Sequence, residues 1–265
     1  QRILVVAPRG KMGKLIIQAV HEREDMVLSG ALAAKGRDYA GMDCGMAAGL
    51  GIITGAEVYD DIDQAVSSCD TVIDFSMTEI SSAVLEKAVE YGKSLVCGTT
   101  GFTPEEMKAF EIASEKIPVL YAANTSTAVN CMNRLLEMAA RMIGEKSDIE
   151  IIEMHDRNKL DAPSGTSKEM GHIIAESLGL ELDEAARYGR IGRGKRSDNE
   201  IGYHSIRSGD ISSSHTVIFG MMGERLEITH HAYNWTCFAR GACDCAKFLK
   251  GRGPGLYGVS DVINL

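Results

Sequence analysis

His155, Asp156, Arg157, Asn158 and Lys159 follow the apolar pair Ile151-Ile152, and Asp161-Ala162-Pro163-Ser164-Gly165-Thr166 comes directly after. An apolar run ending on an imidazole and an ammonium reads as a strand that delivers both groups to a loop. A helical pattern begins at Ser167. Ser164, Gly165 and Thr166 therefore open a helix whose first N–H groups have no intrahelical partner and can hold an anion. A proton donor, a cation and an anion-binding helix start lie within twelve residues, a set suited to holding a carboxylate substrate and protonating it. Singly, His155 reads equally as a satisfied surface histidine and Lys159 as a solvated lysine. Their closeness to Gly165-Thr166 is what points to chemistry.

These residues need a frame. Over the first 124 residues the sequence alternates strand and helix. Short apolar runs at 3–7, 26–32, 71–75, 94–97 and 119–121 read as buried parallel strands, with helical periodicity at 12–20, 81–91 and 104–115. That order predicts right-handed crossovers and a Rossmann-like doubly wound α/β sheet. The Gly-rich stretch 35–56 reads as a mobile loop. After Asn124 the pattern changes: a helix at 128–143, a strand at 148–154, a helix from 167 to 178, a Gly/Arg-rich loop at 184–199, then strands at 201–207, 215–219 and 225–230. Consecutive strands after one or two helices predict a second α+β domain with a mixed sheet. The last helix is expected at 236–250.

The turn after the first strand, Ala7-Pro8-Arg9-Gly10-Lys11-Met12-Gly13, stands where a dinucleotide fingerprint belongs, with Ala7 in place of its first glycine. It reads as a phosphate-binding helix start or as an ordinary strand–helix turn. After the second strand, Leu32-Ala33-Ala34-Lys35 lacks the acid that holds a ribose diol. With Arg9 and Lys11 nearby, Lys35 favours a 2′-phosphate, hence NADPH, with NADH still open. Asp74-Phe75-Ser76, Gly98-Thr99-Thr100-Gly101-Phe102 and Ala123-Asn124-Thr125-Ser126 all follow strands, where open α/β sheets bind ligands. Thr99-Thr100 can line a nicotinamide or cap the next helix, for which Thr103-Pro104 is the better start.

Net charge is −9 with no basic block, which argues against nucleic acid as a partner. No apolar run reaches membrane-spanning length and no signal peptide is evident. The chain opens on Gln1 without Met, so residues lost ahead of it are expected. Seven cysteines, an odd number scattered through apolar stretches, read as reduced core thiols of a cytoplasmic protein. Cys243 and Cys245 are two apart in a helical pattern and do not share a face, and His215, His230 and His231 lack ligand spacing. No metal site is expected, and these histidines read as structural or pocket-lining.

Taken together, IIEMHDRNKLDAPSGTS, VIDFS, VCGTTGF, AANTS, EIGYHSIRSGD and GERLEITH resemble 4-hydroxy-tetrahydrodipicolinate (dihydrodipicolinate) reductases of the lysine and diaminopimelate pathway. The resemblance runs the length of the chain, and the DAPSGT segment carries most of its specificity. It implies an NAD(P)H-dependent oxidoreductase acting on a cyclic unsaturated dicarboxylate. Residues 1–124 and 235–265 would bind the dinucleotide, while 125–234 would bind substrate and build a homotetramer. His155 matches the proton donor, Lys159 its partner, and Gly165 and Thr166 the substrate-carboxylate site. Asp156 stands where a second, substrate-facing histidine is usual. Arg9, Gly10, Lys11, Met12 and Gly13, with Lys35, Phe75, Gly98, Thr99, Thr100, Ala123 and Asn124, make up the cofactor side. Asp156, Asn158, Thr125, Ala128 and Asn234-Trp235 depart from the usual pattern. They keep open a paralogue acting on another cyclic imine, and Ala7-Pro8 keeps open a non-catalytic NADP-binding sensor. The pair His155 and Lys159 argues against the sensor, which has no use for a donor set.

Overall fold

The computed structural model describes residues 1–263. In chain order its elements are β1 (Arg2–Val6), α1 (Lys11–His21), β2 (Val27–Leu32), α2 (Cys44–Ala47), β3 (Val58–Tyr59), α3 (Ile62–Ser67), β4 (Thr71–Asp74), α4 (Thr78–Glu90), β5 (Ser94–Cys97), α5 (Pro104–Ser114) and β6 (Pro118–Tyr121). There follow α6 (Thr127–Ile143), β7 (Asp148–His155), α7 (Gly165–Ser177), α8 (Leu182–Ala185), β8 (Ala186–Tyr188), β9 (Ile201–Arg207), β10 (Ser213–Met221) and β11 (Glu224–Ala232). The chain closes with α9 (Thr236–Leu249), β12 (Gly255–Tyr257) and α10 (Val259–Val262). Two compact units result: Gln1–Thr127 with the chain from Trp235 onward, and Ala128–Asn234.

In the first unit seven parallel strands are ordered β12-β6-β5-β4-β1-β2-β3, the doubly wound α/β sheet expected from the alternation. Side chains alternate across a strand, so β1 feeds two cores. Ile3 and Val5 pack with Ile16 and Ile17 of α1 and Ala242, Cys243 and Ala246 of α9. Leu4 and Val6 pack with Val84 and Leu85 of α4 and Phe110 of α5. The strand order reverses beside β1, which pairs with both β2 and β4. A crevice forms outside the carboxyl ends of the strands at such a point.

The second unit holds a mixed sheet ordered β11-β10-β7-β9-β8, with β7, β9 and β8 parallel and β10 antiparallel to both its neighbours. One face is apolar: Ile149 and Ile151 of β7, Tyr203 of β9, and Val217 and Phe219 of β10 lie under Leu136 of α6 and Met170 and Ile174 of α7.

Several expectations need correction. Residues 35–56 contain the short helix α2 and are organised by one carboxylate. Asp43 accepts from the N–H groups of Gly45 (2.8 Å), Thr54 (2.9 Å) and Gly55 (2.8 Å) and from Thr54 Oγ1 (3.1 Å). Partial burial works against its ionisation, but these donors outweigh it and hold the carboxyl below its ordinary range. Nothing in the period of the sequence announces such a hub. Residues 184–199 likewise include an edge strand, β8, recruited by backbone pairing with β9, while Arg190 and Arg196 tie the following loop to Glu150. The strands β3 and β12 are too short to show alternation. All seven cysteines are free. The core thiols Cys44, Cys69, Cys97, Cys243 and Cys245 are pushed up to about 12 by burial, whereas Cys131 is exposed and Cys237 half-buried.

Asp43→Ala is expected to destabilise the first unit by about 2 kcal/mol, the scale of several lost charge-assisted hydrogen bonds. The Asp43 carboxyl is lowered in the folded state, so its contribution exists above the unfolded-state pKa and fades as pH falls. Urea melts of wild type and variant should therefore differ at pH 7 and converge on acidification; a constant gap would locate the effect elsewhere.

Candidate active site

In the first unit the crevice is bordered by the turn after β1. Ala7 has φ 58°, the left-handed conformation that a fingerprint glycine supplies. The expectation of a degenerate turn is thus met by a strained alanine in the backbone shape of a glycine. Its carbonyl accepts from Gly10 N–H at 2.9 Å. Gly10 is the N-cap of α1, and Met12 in its first turn packs on the core. A Cβ on Gly13 would lie 2.1 Å from the Ala7 oxygen, so the third glycine lets helix and turn meet.

The basic residues around this turn separate. The Arg9 guanidinium lies 3.9 Å above the Tyr39 ring, donates to the Ala47 carbonyl at 3.2 Å and sits 3.5 Å from Asp38. The Lys11 ammonium lies 3.5 Å over the ring of Trp235, the sole tryptophan. Lys35 is exposed just past β2.

At the ends of β4 and β5, Phe75 lies on Gly98, where a Cβ would come within 2.0 Å of the ring. Thr99 is buried, and its hydroxyl oxygen accepts from Ser76 N–H (3.0 Å) and Ser81 O–H (2.9 Å). It ties the two loops together and does not cap α5, whose N-cap is Thr103 with a reciprocal Glu106 bond. Thr100 is exposed, as is Ala123. Asn124 Oδ1 accepts from Ser126 N–H at 2.9 Å. Thr125 is buried and donates to the Phe238 carbonyl at 2.7 Å, a structural tie to α9. Asp74, read as part of a loop that follows a strand, is instead the last residue of β4 and fully buried. Burial raises this carboxyl, against the pull of Ser76 and Ser81.

In the second unit the period of two along β7 puts Ile149, Ile151, Glu153 and His155 on its buried face. Strand register then assembles the site: His155 is level with Arg207 on β9, and Glu153 with His215 on β10. Glu153 Oε2 lies 2.5 Å from His155 Nδ1. Both Glu153 oxygens are held at 2.8 Å by Arg207, and Ser164 N–H adds a contact at 3.3 Å. Burial would raise the Glu153 carboxyl, but His155 and Arg207 outweigh it and hold it well below the ordinary range. The His215 ring meets that of His155 edge-on at 5.3 Å, and its Nε2 is 3.1 Å from Ser164 Oγ. Burial, then the neighbouring His155, push His215 down to about 3, so it is neutral at physiological pH.

Ser164 caps α7 through Ser167 N–H, and the helix starts at Gly165 and Thr166, two residues ahead of the apolar pattern. A Cβ on Gly165 would meet no atom within 4 Å. Lys159 pairs with Asp161 at 2.9 Å, and Asp156 Oδ1 accepts from Asn158 N–H at 2.9 Å, shaping the loop. Glu153 and Arg207 are the parts that sequence reasoning missed; Ser164 had its place at the helix start, and His215 was read as structural or pocket-lining without a link to His155. Glu153 carried a signal: it is a charge on the inward phase of an otherwise apolar strand. Among the described residues no cluster has the makeup of a metal site.

The family model described as "Dihydrodipicolinate reductase, N-terminus" matches residues 1–125, and its counterpart "Dihydrodipicolinate reductase, C-terminus" matches 128–263. The chain belongs to the dihydrodipicolinate reductase family. Within that family, a protein of Alkalilimnicola ehrlichii named 4-hydroxy-tetrahydrodipicolinate reductase is 43% identical over 265 residues, covering 100% of this chain and 99% of the relative. One of the same name from Citrifermentans bemidjiense is also 43% identical with the same coverage. A dipicolinate-bound dihydrodipicolinate reductase from Paenisporosarcina sp. TG-14 shares the fold, with a TM-score of 0.78 at 24% identity over 99% of this chain and 98% of that one.

Proposed function

We propose that this family member is an NADPH-dependent reductase that converts 4-hydroxy-tetrahydrodipicolinate to tetrahydrodipicolinate in lysine and diaminopimelate synthesis. The observation that carries the reading is the buried His155–Glu153 pair beside the start of α7. A proton donor held by a carboxylate next to outward helix amides is equipment for a carboxylate substrate. The full-length similarity to proteins named for this activity supports it.

The first unit fits a pyridine nucleotide, since Gly13 brings the start of α1 onto the turn and Gly98 leaves room only for the Phe75 ring. When bound, the reduced nicotinamide supplies the hydride. Gly10, Lys11, Met12 and Gly13 hold the pyrophosphate at the helix start, Arg9 and Lys35 favour a 2′-phosphate, and Phe75, Gly98, Thr99, Thr100, Ala123 and Asn124 line the nicotinamide. On the substrate side, Gly165 and Thr166 bind a carboxylate, Asp156 borders the pocket, Lys159 offsets negative charge on the reducing imine and His155 donates the proton. In this reading the enzyme works in the cytoplasm as a homotetramer, as its membership of this family of biosynthetic reductases suggests.

The test generates the substrate in situ from pyruvate and aspartate semialdehyde with its synthase and follows loss of NADPH absorbance. Cofactor binding is read separately from the fluorescence of Trp235, which lies against Lys11. Turnover above background with NADPH preferred over NADH is the expected result. Cofactor binding without turnover would replace the substrate by a related cyclic imine, and no binding of either nucleotide would leave a sensor.

Gly165→Ala adds a methyl that no protein atom opposes, at the first position of α7. It is expected to keep or raise Tm while raising KM about tenfold, because the methyl enters the space before the helix amides. An unchanged KM would remove Gly165 from the substrate site.

A further inference from the structure

Glu153 is anomalous as a core residue. It lies on the apolar phase of β7, buried, with both oxygens committed to Arg207 and one also to His155. Replacing such a buried pair by apolar residues is often neutral or stabilising, so stability alone gives little reason for it. Its geometry gives another. A carboxylate at 2.5 Å from Nδ1 fixes the tautomer that carries hydrogen on Nδ1 and leaves Nε2 as the exchanging atom.

We propose that Glu153 is a positioning residue for the proton donor, fixing the orientation and tautomer of the His155 ring, and that Arg207 holds the Glu153 carboxylate in place for it. The proposal rests on His155 being the donor. The substrate would first lose its 4-hydroxyl and a ring hydrogen as water to give the conjugated imine; hydride from a bound reduced pyridine nucleotide would then add at carbon, the electron pair of that imine would take up the Nε2 proton, and His155 would be left neutral with its Nδ1–H still on Glu153. Glu153 stays ionised throughout because Arg207 holds it. The imidazolium recovers its proton from water. The other groups around His155 complete the field. His215 from β10 is neutral, and His230, its cross-strand neighbour on β11, is lowered chiefly by burial, then by His231. From the loop, Lys159 is paired with Asp161, and Asp156 is half-buried. Arg207 is the one cation on Glu153 among the described residues besides His155 itself, so it is Arg207 that keeps the carboxylate in place against the ring.

The experiment compares kcat and KM of the full-length enzyme with those of Glu153→Gln, Arg207→Gln and His155→Gln, and reads the His155 ring tautomer in each resting protein from its nitrogen-15 shifts, with urea melts confirming folding. Glu153→Gln should lower kcat at least tenfold with KM within threefold, because an amide can face Nδ1 with its nitrogen or its oxygen and no longer fixes the tautomer. Arg207→Gln should lower kcat in the same direction by less. An unchanged tautomer and kcat in Glu153→Gln, with His155→Gln at least a hundredfold slower, overturn the proposal and leave the donor assignment standing. Full activity in His155→Gln overturns the donor assignment itself.

Discussion

His155→Gln is expected to lower kcat by about 10²-fold or more, the usual worth of a positioned general acid, with little change in dinucleotide affinity. Glutamine keeps a side chain that can reach Glu153 but cannot carry a transferable proton near neutral pH. The protein should remain folded, because His155 sits at the end of β7 and its backbone is tied independently: Ser208 N–H donates to the His155 carbonyl at 3.0 Å. Steady-state kinetics under saturating NADPH provide the check. If kcat were unchanged and only KM rose, His155 would be a binding residue.

The second large effect is expected at Gly13. Alanine there would place its Cβ 2.1 Å from the Ala7 oxygen and 2.9 Å from the Ala7 carbonyl carbon, both backbone atoms. The turn has little freedom to yield, since Ala7 is already at φ 58° and its carbonyl accepts from Gly10. Relief requires α1 to move away from β1, which loosens the packing of Ile16 and Ile17 on Ile3 and Val5. Gly13→Ala should cost about 3 kcal/mol, the upper range for overpacking, and weaken binding of the pyridine nucleotide by about tenfold or more. Urea melts and titration of Trp235 fluorescence measure the two separately. Unchanged affinity in a folded variant would take the turn out of the cofactor site. Gly13 and Gly165 therefore contrast: at one the missing methyl makes room for the protein's own backbone, at the other it faces no protein atom at all.

Much of this was legible beforehand because period carries it. The apolar run from Ile3 to Ala7, the helix expected at 128–143 and the strand leading to His155 could be read from apolar runs and repeat spacing alone. The segment around His155 and Gly165 was readable because its functional groups are close in sequence. Glu153, Arg207 and His215 were not read together because strand register joins them from β7, β9 and β10, and register is a tertiary property. The Asp43 hub was missed for a different reason: its partners are backbone N–H groups, which every residue has. Ala7 shows the reverse case, a residue type that argues against a turn whose backbone nonetheless takes the required shape at a strain of about 1 kcal/mol.

The position of α9 has a consequence for synthesis. The first unit draws Ala242, Cys243, Ala246 and Leu249 into the core under β1, and its sheet ends with β12 beside β6. These pieces leave the ribosome after every strand of the second unit. Although it starts first, the dinucleotide-type unit is completed last, and until then the face carrying Ile3, Val5, Ile73 and Val96 has α1 but lacks α9. Domains as a rule fold in order of emergence; here the inserted unit can finish while its host waits. A nascent chain arrested before residue 236 would hold a closed second unit and an open, aggregation-prone sheet, the form that a chaperone would meet.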